Sequence, residues 1–194
     1  GAYEETAVLY RSNAQSRAIE EALLRISIPY RIYGGLRFYE RLEIKNAIAY
    51  LKIIFNNNDN PSFERSISNP TRGVGEKTLG KIRQTAQKYN ISYIKASAKL
   101  IDEGSISGRG GSGLRDYLEF VAGCKSFIED NSLSDLMELI IKESGLYSYH
   151  AKEAGEKGKT RTENLEELIT ATKNFEQSVK EDKTNTEIAE NYLD

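Results

Sequence analysis

From Glu40 to Gln177 the apolar residues of this 194-residue chain recur at helical spacing, and that periodicity commits most of the molecule to packed helices. Residues 40–56 carry Ile44, Ala47, Ile48, Leu51 and Ile54 on one stripe, the pattern of a core-facing helix. Asn57-Asn58-Asp59-Asn60-Pro61 stops that helix, and a short one follows over 62–68. Asn69-Pro70-Thr71-Arg72-Gly73-Val74-Gly75 then makes a tight loop before a helix over 76–89. Further helices are expected over 92–102, 114–129, 134–143 and 162–177, separated by glycine-rich breaks at 104–113 and 155–158. From Ser178 onward the chain is polar and reads as a linker or a frayed helix.

The opening follows a different rhythm. Ala7-Val8-Leu9-Tyr10 has the length and composition of a buried strand. Asn13 is placed to cap a helix running to about Ser27, with Ile19, Leu23 and Leu24 facing inward and Glu20-Glu21 outward. Pro29 ends that helix, Tyr30-Arg31-Ile32-Tyr33 alternates as a second strand, and Gly34-Gly35 supplies the exit turn. Strand, helix and strand in this order favour a parallel pair with a right-handed crossover. Two strands do not make a stable sheet, so the piece reads as one edge of an α/β domain. The expected fold class is mainly α: a helical domain containing a helix–hairpin–helix, preceded by a strand–helix–strand fragment.

Composition narrows the function. One cysteine, Cys124, excludes an internal disulfide framework, and one histidine beside it leaves too few soft ligands for a zinc site. No apolar run reaches the roughly 20 residues of a membrane span, and the first residues do not read as a signal peptide, so a cytoplasmic setting is expected. The net charge of −2 hides a gradient. Residues 61–115 hold 10 basic and 4 acidic side chains, whereas 116–194 hold 9 and 18. A basic middle in an acidic chain suggests one face that meets a polyanion, against the alternative of a solvated basic surface.

Three glycine patterns invite a phosphate reading. Gly108-Arg109-Gly110-Gly111-Ser112-Gly113 fits the dinucleotide spacing, but loop residues precede it where that site needs a strand. Gly155-Glu156-Lys157-Gly158-Lys159-Thr160 resembles a nucleotide phosphate loop with Glu153 in place of its first glycine, and a polar helix–helix turn accounts for it better. Pro70-Thr71-Arg72-Gly73-Val74-Gly75-Glu76-Lys77-Thr78 is a different case. A glycine–hydrophobic–glycine loop between helices bares main-chain N–H groups at a helix N-terminus, where they and the helix dipole favour a phosphate. Val74 tucks inward, while Arg72, Lys77 and Lys81 add charge. Such a site grips backbone and not base edges, so it binds DNA without sequence preference. A plain turn between helices is the competing reading.

The other candidates are thinner. Arg11 and Asn13 follow the first expected strand, where ligands of open α/β sheets collect; a surface cation and a helix cap explain them equally. His150 reads as an ordinary surface or helix-end residue, and Cys124 as a buried, inert thiol. Most of the 12 tyrosines, Tyr50 and Tyr117 among them, fall on apolar helix faces and read as core. No catalytic constellation is recognisable.

The blocks 7–17 (Ala7-Val8-Leu9-Tyr10-Arg11-Ser12-Asn13-Ala14-Gln15-Ser16-Arg17) and 28–41, with Asn69 to Gly75 and Arg161-Thr162-Glu163-Asn164-Leu165-Glu166-Glu167-Leu168, resemble the UvrD/PcrA/Rep-type superfamily 1 DNA helicases, in order, to about Gln177. The resemblance implies that residues 1–33 are a fragment of the RecA-like motor domain 2A, residues 34–177 the helical 2B subdomain, and 178–194 a linker or frayed helix. It implies a parent that translocates 3′ to 5′ using ATP and Mg2+ and unwinds DNA in repair. Its phosphate-binding loop, acidic metal motif and arginine fingers have no counterpart here, so the chain alone is expected to be inactive as an ATPase. DNA-binding residues implied are Arg11 and Asn13 on single-stranded DNA, and Thr71, Arg72, Gly73, Val74, Gly75, Lys77 and Thr78 on duplex. The alternative is a protein-interaction or autoinhibitory module whose acidic 116–194 region docks a repair protein or the motor.

Overall fold

A computed structural model describes residues 3, 6–33, 35–179 and 183–193. Ten α-helices appear among them: α1 (Ser16–Arg25), α2 (Leu42–Phe55), α3 (Asn60–Ser68), α4 (Glu76–Tyr89), α5 (Tyr93–Asp102), α6 (Gly108–Asp130), α7 (Leu133–Glu143), α8 (Leu146–Ala151), α9 (Glu156–Ser178) and α10 (Asn185–Leu193). Local chemistry sets several of their ends. Asp59 caps α3 by accepting from the Ser62 amide at 3.0 Å, with Pro61 in the first turn where its missing N–H costs nothing. Ser132 and Asp135 cap α7 reciprocally (Asp135 N to Ser132 Oγ, 3.1 Å; Ser132 N to Asp135 Oδ2, 3.3 Å). Asn90, in the left-handed region at φ 52°, ends α4.

Helix α2 is the hub, packing on α3, α6, α7 and α9. Ile44, Ala47, Tyr50, Leu51, Ile53 and Ile54 are all fully buried, so this helix is apolar around most of its circumference. Each such large side chain contributes about 1.5–3 kcal/mol of burial. Across it stand Phe63 of α3, Tyr117 of α6 and Leu136 and Ile140 of α7, also fully buried. The Tyr117 hydroxyl meets Ser66 Oγ at 2.7 Å, which satisfies both polar groups inside the core. Helix α10 closes the far side, with Ala189 fully buried as it packs on α6, α7 and α9.

The structure departs from expectation in several places. No strand forms among the described residues: 6–10 and 28–32 lack regular structure, with Leu9 93% exposed. A strand requires a paired ladder, and neither segment pairs with the other. Gly34, half of the expected exit turn, lies outside the described residues. Helix α1 forms but is turned over: Ser16, Arg17 and Glu20 are buried, while Leu24 is 60% exposed. Helices α6 and α9 start at Gly108 and Glu156, absorbing most of both glycine-rich breaks. Their early glycines are required by close packing. A Cβ on Gly113 would lie 1.9 Å from the Arg72 carbonyl oxygen, and one on Gly158 2.3 Å from that of Glu153. His150 lies in the last turn of the short helix α8, the helix-end setting expected of it, and is buried there.

Candidate nucleic-acid interface

The loop between α3 and α4 sits over the junction of α2, α6 and α7. Val74 is buried beneath it and joins the main core, which fixes the loop from below. Gly73 adopts φ +75°, a conformation L side chains rarely take, whereas Gly75 has φ −93° and nothing within 4 Å of a Cβ placed on it. Gly75 accordingly leaves open space beside the first turn of α4. The carbonyl of Gly75 accepts from the Thr78 and Leu79 amides, both at 3.0 Å. The amides of Gly73, Val74, Gly75, Glu76 and Lys77 find no main-chain acceptor among the described residues. Five consecutive N–H groups at a helix start are thus without a partner, beside a residue that has no side chain.

The cations expected here divide into two kinds. Arg72 turns inward: its Nη2 donates to Tyr50 Oη at 2.8 Å and to the Ser144 carbonyl at 2.9 Å, and its guanidinium lies over the Tyr50 and Tyr117 rings, each 5.8 Å away. It ties the loop to α2, α6 and the end of α7 and offers little to an external anion. Lys81 donates to the Ser105 carbonyl at 2.9 Å. Lys77 is exposed, and Thr78 is half-buried beside Gly110 of α6. The acid at this point, Glu76, is engaged by Arg83, which also pairs with Glu64 at 2.6 Å. That pair holds the Glu64 carboxyl below the usual carboxylate range, chiefly through the hydrogen bond from Arg83. The negative charge nearest the amide surface is therefore partnered.

Arg109 lies on the first turn of α6, within a glycine run whose spacing alone does not bring it to this loop. A Cβ on Gly73 would lie 2.8 Å from Arg109 Cγ, 3.2 Å from Cδ and 3.3 Å from Nε, so the side chain runs flat across the loop. The signal was in the run itself: glycines crowded into a helix start indicate main chain approaching main chain.

Arg11 and Asn13 belong to another part of the body. Both are exposed; Asn13 starts a 3₁₀ turn (Asn13–Gln15) that packs against α9, and Arg11 lies in the bend before it. Asn13 is not the cap of α1; Gln15 Oε1 accepts from the Arg11 and Ser12 amides at 3.0 and 3.4 Å instead. The Asn13 carbonyl accepts from Arg41 Nη1 at 2.7 Å. Arg41, buried, also reaches Asn164 Oδ1 (2.9 Å) and Ser16 Oγ (2.6 Å). From Asn164 the network continues to Glu43 (2.6 Å), from Glu43 to Arg161 (3.7 Å), and through Glu153 to His150 Nδ1 (2.8 Å). Arg17 adds a second tie to Glu167 at 2.6 Å. The block 161–168 thus holds the first turns of the chain in place.

The remaining sequence candidates are occupied structurally. Helix α9 begins on the second glycine run, with Gly158 pressed on the His150 and Glu153 carbonyls, so that run leaves no cradle for a nucleotide phosphate. The Gly108–Gly113 run is equally filled by Arg72, Gly73 and Ile106. Among the described residues no acidic or histidine cluster could hold a metal ion. Cys124 is buried, and burial pushes its thiol up to about 12. Tyr50 and Tyr117 are fully buried. Among the described residues no helix is long and apolar enough to cross a membrane.

A model of the UvrD-like helicase C-terminal domain matches residues 1–106. DNA helicase II of Escherichia coli is 49% identical over 175 residues, covering 90% of this chain and 24% of that protein. DNA helicase II of Haemophilus influenzae is 46% identical over 175 residues, with 90% and 24% covered. The ATP-dependent DNA helicase PcrA of Bacillus subtilis is 36% identical over 180 residues, with 93% and 24% covered. The chain thus spans about a quarter of the length of the curated relatives it matches.

Proposed function

The chain belongs to the UvrD-like helicase C-terminal domain family, and from that premise we propose that it is the duplex-gripping region of an ATP-driven DNA helicase. Residues 34–177 act as the 2B subdomain and residues 1–33 as part of motor domain 2A, in a cytoplasmic enzyme that moves 3′ to 5′ and serves repair. The observation that carries this reading is the run of unpartnered amides from Gly73 to Lys77 around the open Gly75. A phosphate oxygen of duplex DNA accepts from these donors, and Lys77 and Thr78 flank it. Contact of this kind reads no bases and so suits an enzyme that travels. Arg11 and Asn13, exposed on the face over α9, meet the single strand.

ATP and Mg2+ drive the parent enzyme, but the residues of this chain do not fit either: both glycine runs are packed against main chain, as described above. Hydrolysis is therefore assigned to other parts of the helicase, and the chain's own role is to hold and orient the duplex. Titrating fluorescent duplex DNA with the chain at increasing salt tests the grip. Binding is expected to be weak and to fall steeply with salt, because each neutralised phosphate releases counterions. Absence of binding at low salt, with helicity intact by circular dichroism, would end this reading.

A further inference from the structure

We propose that the recess between α2, α3 and α10 is a docking site for an acidic segment of another protein, one that carries apolar side chains between its carboxylates. On charge alone a protein dock belongs in the acidic 116–194 region, but several carboxylates there already have partners. Ser132 Oγ donates to Asp135 at 2.6 Å, Lys142 pairs with Glu138, and Glu176 accepts from Ser134 Oγ at 2.7 Å. The unpartnered charge is of the opposite sign and lies elsewhere. Lys45 and Lys52 of α2 and Arg65 of α3 are exposed and have no acid partner among the described residues. All three line one recess of about 420 Å³, and no carboxylate lines it among the described residues.

Helix α2 sets the spacing. Lys45, Ile48, Ala49 and Lys52 stand at i, i+3, i+4 and i+7, so they share one face. Seven residues of helix put the two lysines about 10 Å apart along its axis. Half-buried Ile48 and buried Ala49 lie between them as an apolar floor, which half-buried Leu193 extends from α10. On the α3 side Arg65 Nη1 donates to Asn46 Oδ1 at 3.1 Å, a bond that steadies the guanidinium without neutralising it. At the other side the Tyr39 hydroxyl is 3.4 Å from both Tyr192 Oη and Glu21 Oε1. Glu21, the acid that comes nearest, is itself paired with Arg17 at 2.6 Å. Cations on the rim and hydrocarbon on the floor select a ligand with the complementary pattern. Carboxylates of the docked segment meet the rim while a leucine or phenylalanine covers the floor. A nucleic-acid backbone answers the cations but has nothing apolar to lay on Ile48 and Leu193. Nor are the tyrosine rings free platforms for bases: Tyr39 packs edge to face with Phe38 and Tyr192 with Phe175, each at 5.1 Å.

The test is fluorescence anisotropy with the full chain and a labelled peptide of glutamate and aspartate, carrying leucine or phenylalanine at every third or fourth position. Binding is expected to tighten as salt is lowered. Lys45→Glu and Lys52→Glu are each expected to weaken it about ten-fold, at unchanged melting temperature, and the double reversal to weaken it further. Replacing the apolar residues of the peptide by serine is expected to cost about ten-fold as well. Equal affinity for the serine peptide would reduce the recess to a diffuse basic surface and overturn the proposal. Wild-type affinity in the double variant would overturn it too. Gly75→Leu, which fills the hairpin, is expected to bind the peptide as the wild type does; loss of the peptide there would move it to the hairpin. If duplex or single-stranded DNA displaces the label at lower concentration than unlabelled peptide does, the recess belongs to nucleic acid. Dimerisation in sedimentation velocity that Lys52→Glu abolishes would give the recess to the acidic face of a second copy.

Discussion

Around the hairpin, α6 and the loop meet main chain to main chain, and the apolar Val74 points down into the core. In the segment from Ser12 to Arg41 the attachment is inverted. Buried arginines hold α1 to the start of α2 and to α9, and buried Glu20 accepts from the Phe38 amide, while Leu24, Ile26 and Tyr33 stay in solvent. The first region is specified by the absence of side chains, the second by a few polar ones with partners far along the chain. Glycine contacts tolerate no added atom but cost nothing in desolvation. A buried charged network tolerates shape changes but is costly to interrupt, because each stranded group stays out of water.

The sharpest way to break this contrast is within the N-terminal segment itself. Arg41→Met is expected to cost about 3 kcal/mol, since it strands acceptors on Asn13, Ser16 and Asn164. Leu24→Ser, in the same segment, is expected to change stability by under about 0.5 kcal/mol. Urea unfolding of both variants decides it, and a Leu24→Ser loss as large as that of Arg41→Met would contradict the inverted burial of α1.

The next comparison uses one substitution at two glycines. Gly113→Ala forces a Cβ into the Arg72 carbonyl and should cost about 2 kcal/mol. Gly75→Ala meets open space at an ordinary φ and should cost under about 1 kcal/mol. Equal losses in thermal melts would mean that α6 does not press on the loop as described.

The smallest effect is a pH dependence in the network. Glu153's carboxyl is held below its ordinary value, first by the hydrogen bond to His150 and then by Arg161, with Lys157 at 4.0 Å on the solvent side. A folded value below the unfolded one means the stabilisation is complete above the unfolded carboxylate range. It is lost as pH falls through the depressed folded value. The stability gap between wild type and Glu153→Gln should therefore be steady above about pH 5, under about 1 kcal/mol, and close below about pH 4. A gap that widens with acid would reverse the sign.

Much of the helical body was legible because it obeys one rule: Ile44, Leu51 and Ile54 repeat at helical spacing and are buried. The helix over Glu76–Tyr89 starts after a glycine and ends at an asparagine, both readable signals. Helix α1 was misread for a physical reason. Its pattern is amphipathic, but partners such as Glu167 and Arg41 outbid the apolar face, and no local pattern contains them. Glycine disfavours helix in isolation, so both glycine runs read as breaks in the sequence. Contact with the Arg72 and Glu153 carbonyls overrides that cost. At the hairpin the loop was visible from sequence, but the inward turn of Arg72 was not, because its partners Tyr50 and Ser144 lie on other helices far along the chain.

Cys124 has a practical consequence. The only sulfhydryl of the chain lies on the buried face of α6 and is reluctant to ionise, so maleimide dyes will pass it by. A cysteine introduced on the outer surface would then be a unique handle. Fluorophores or spin probes could be fixed beside the hairpin without first stripping the native residue.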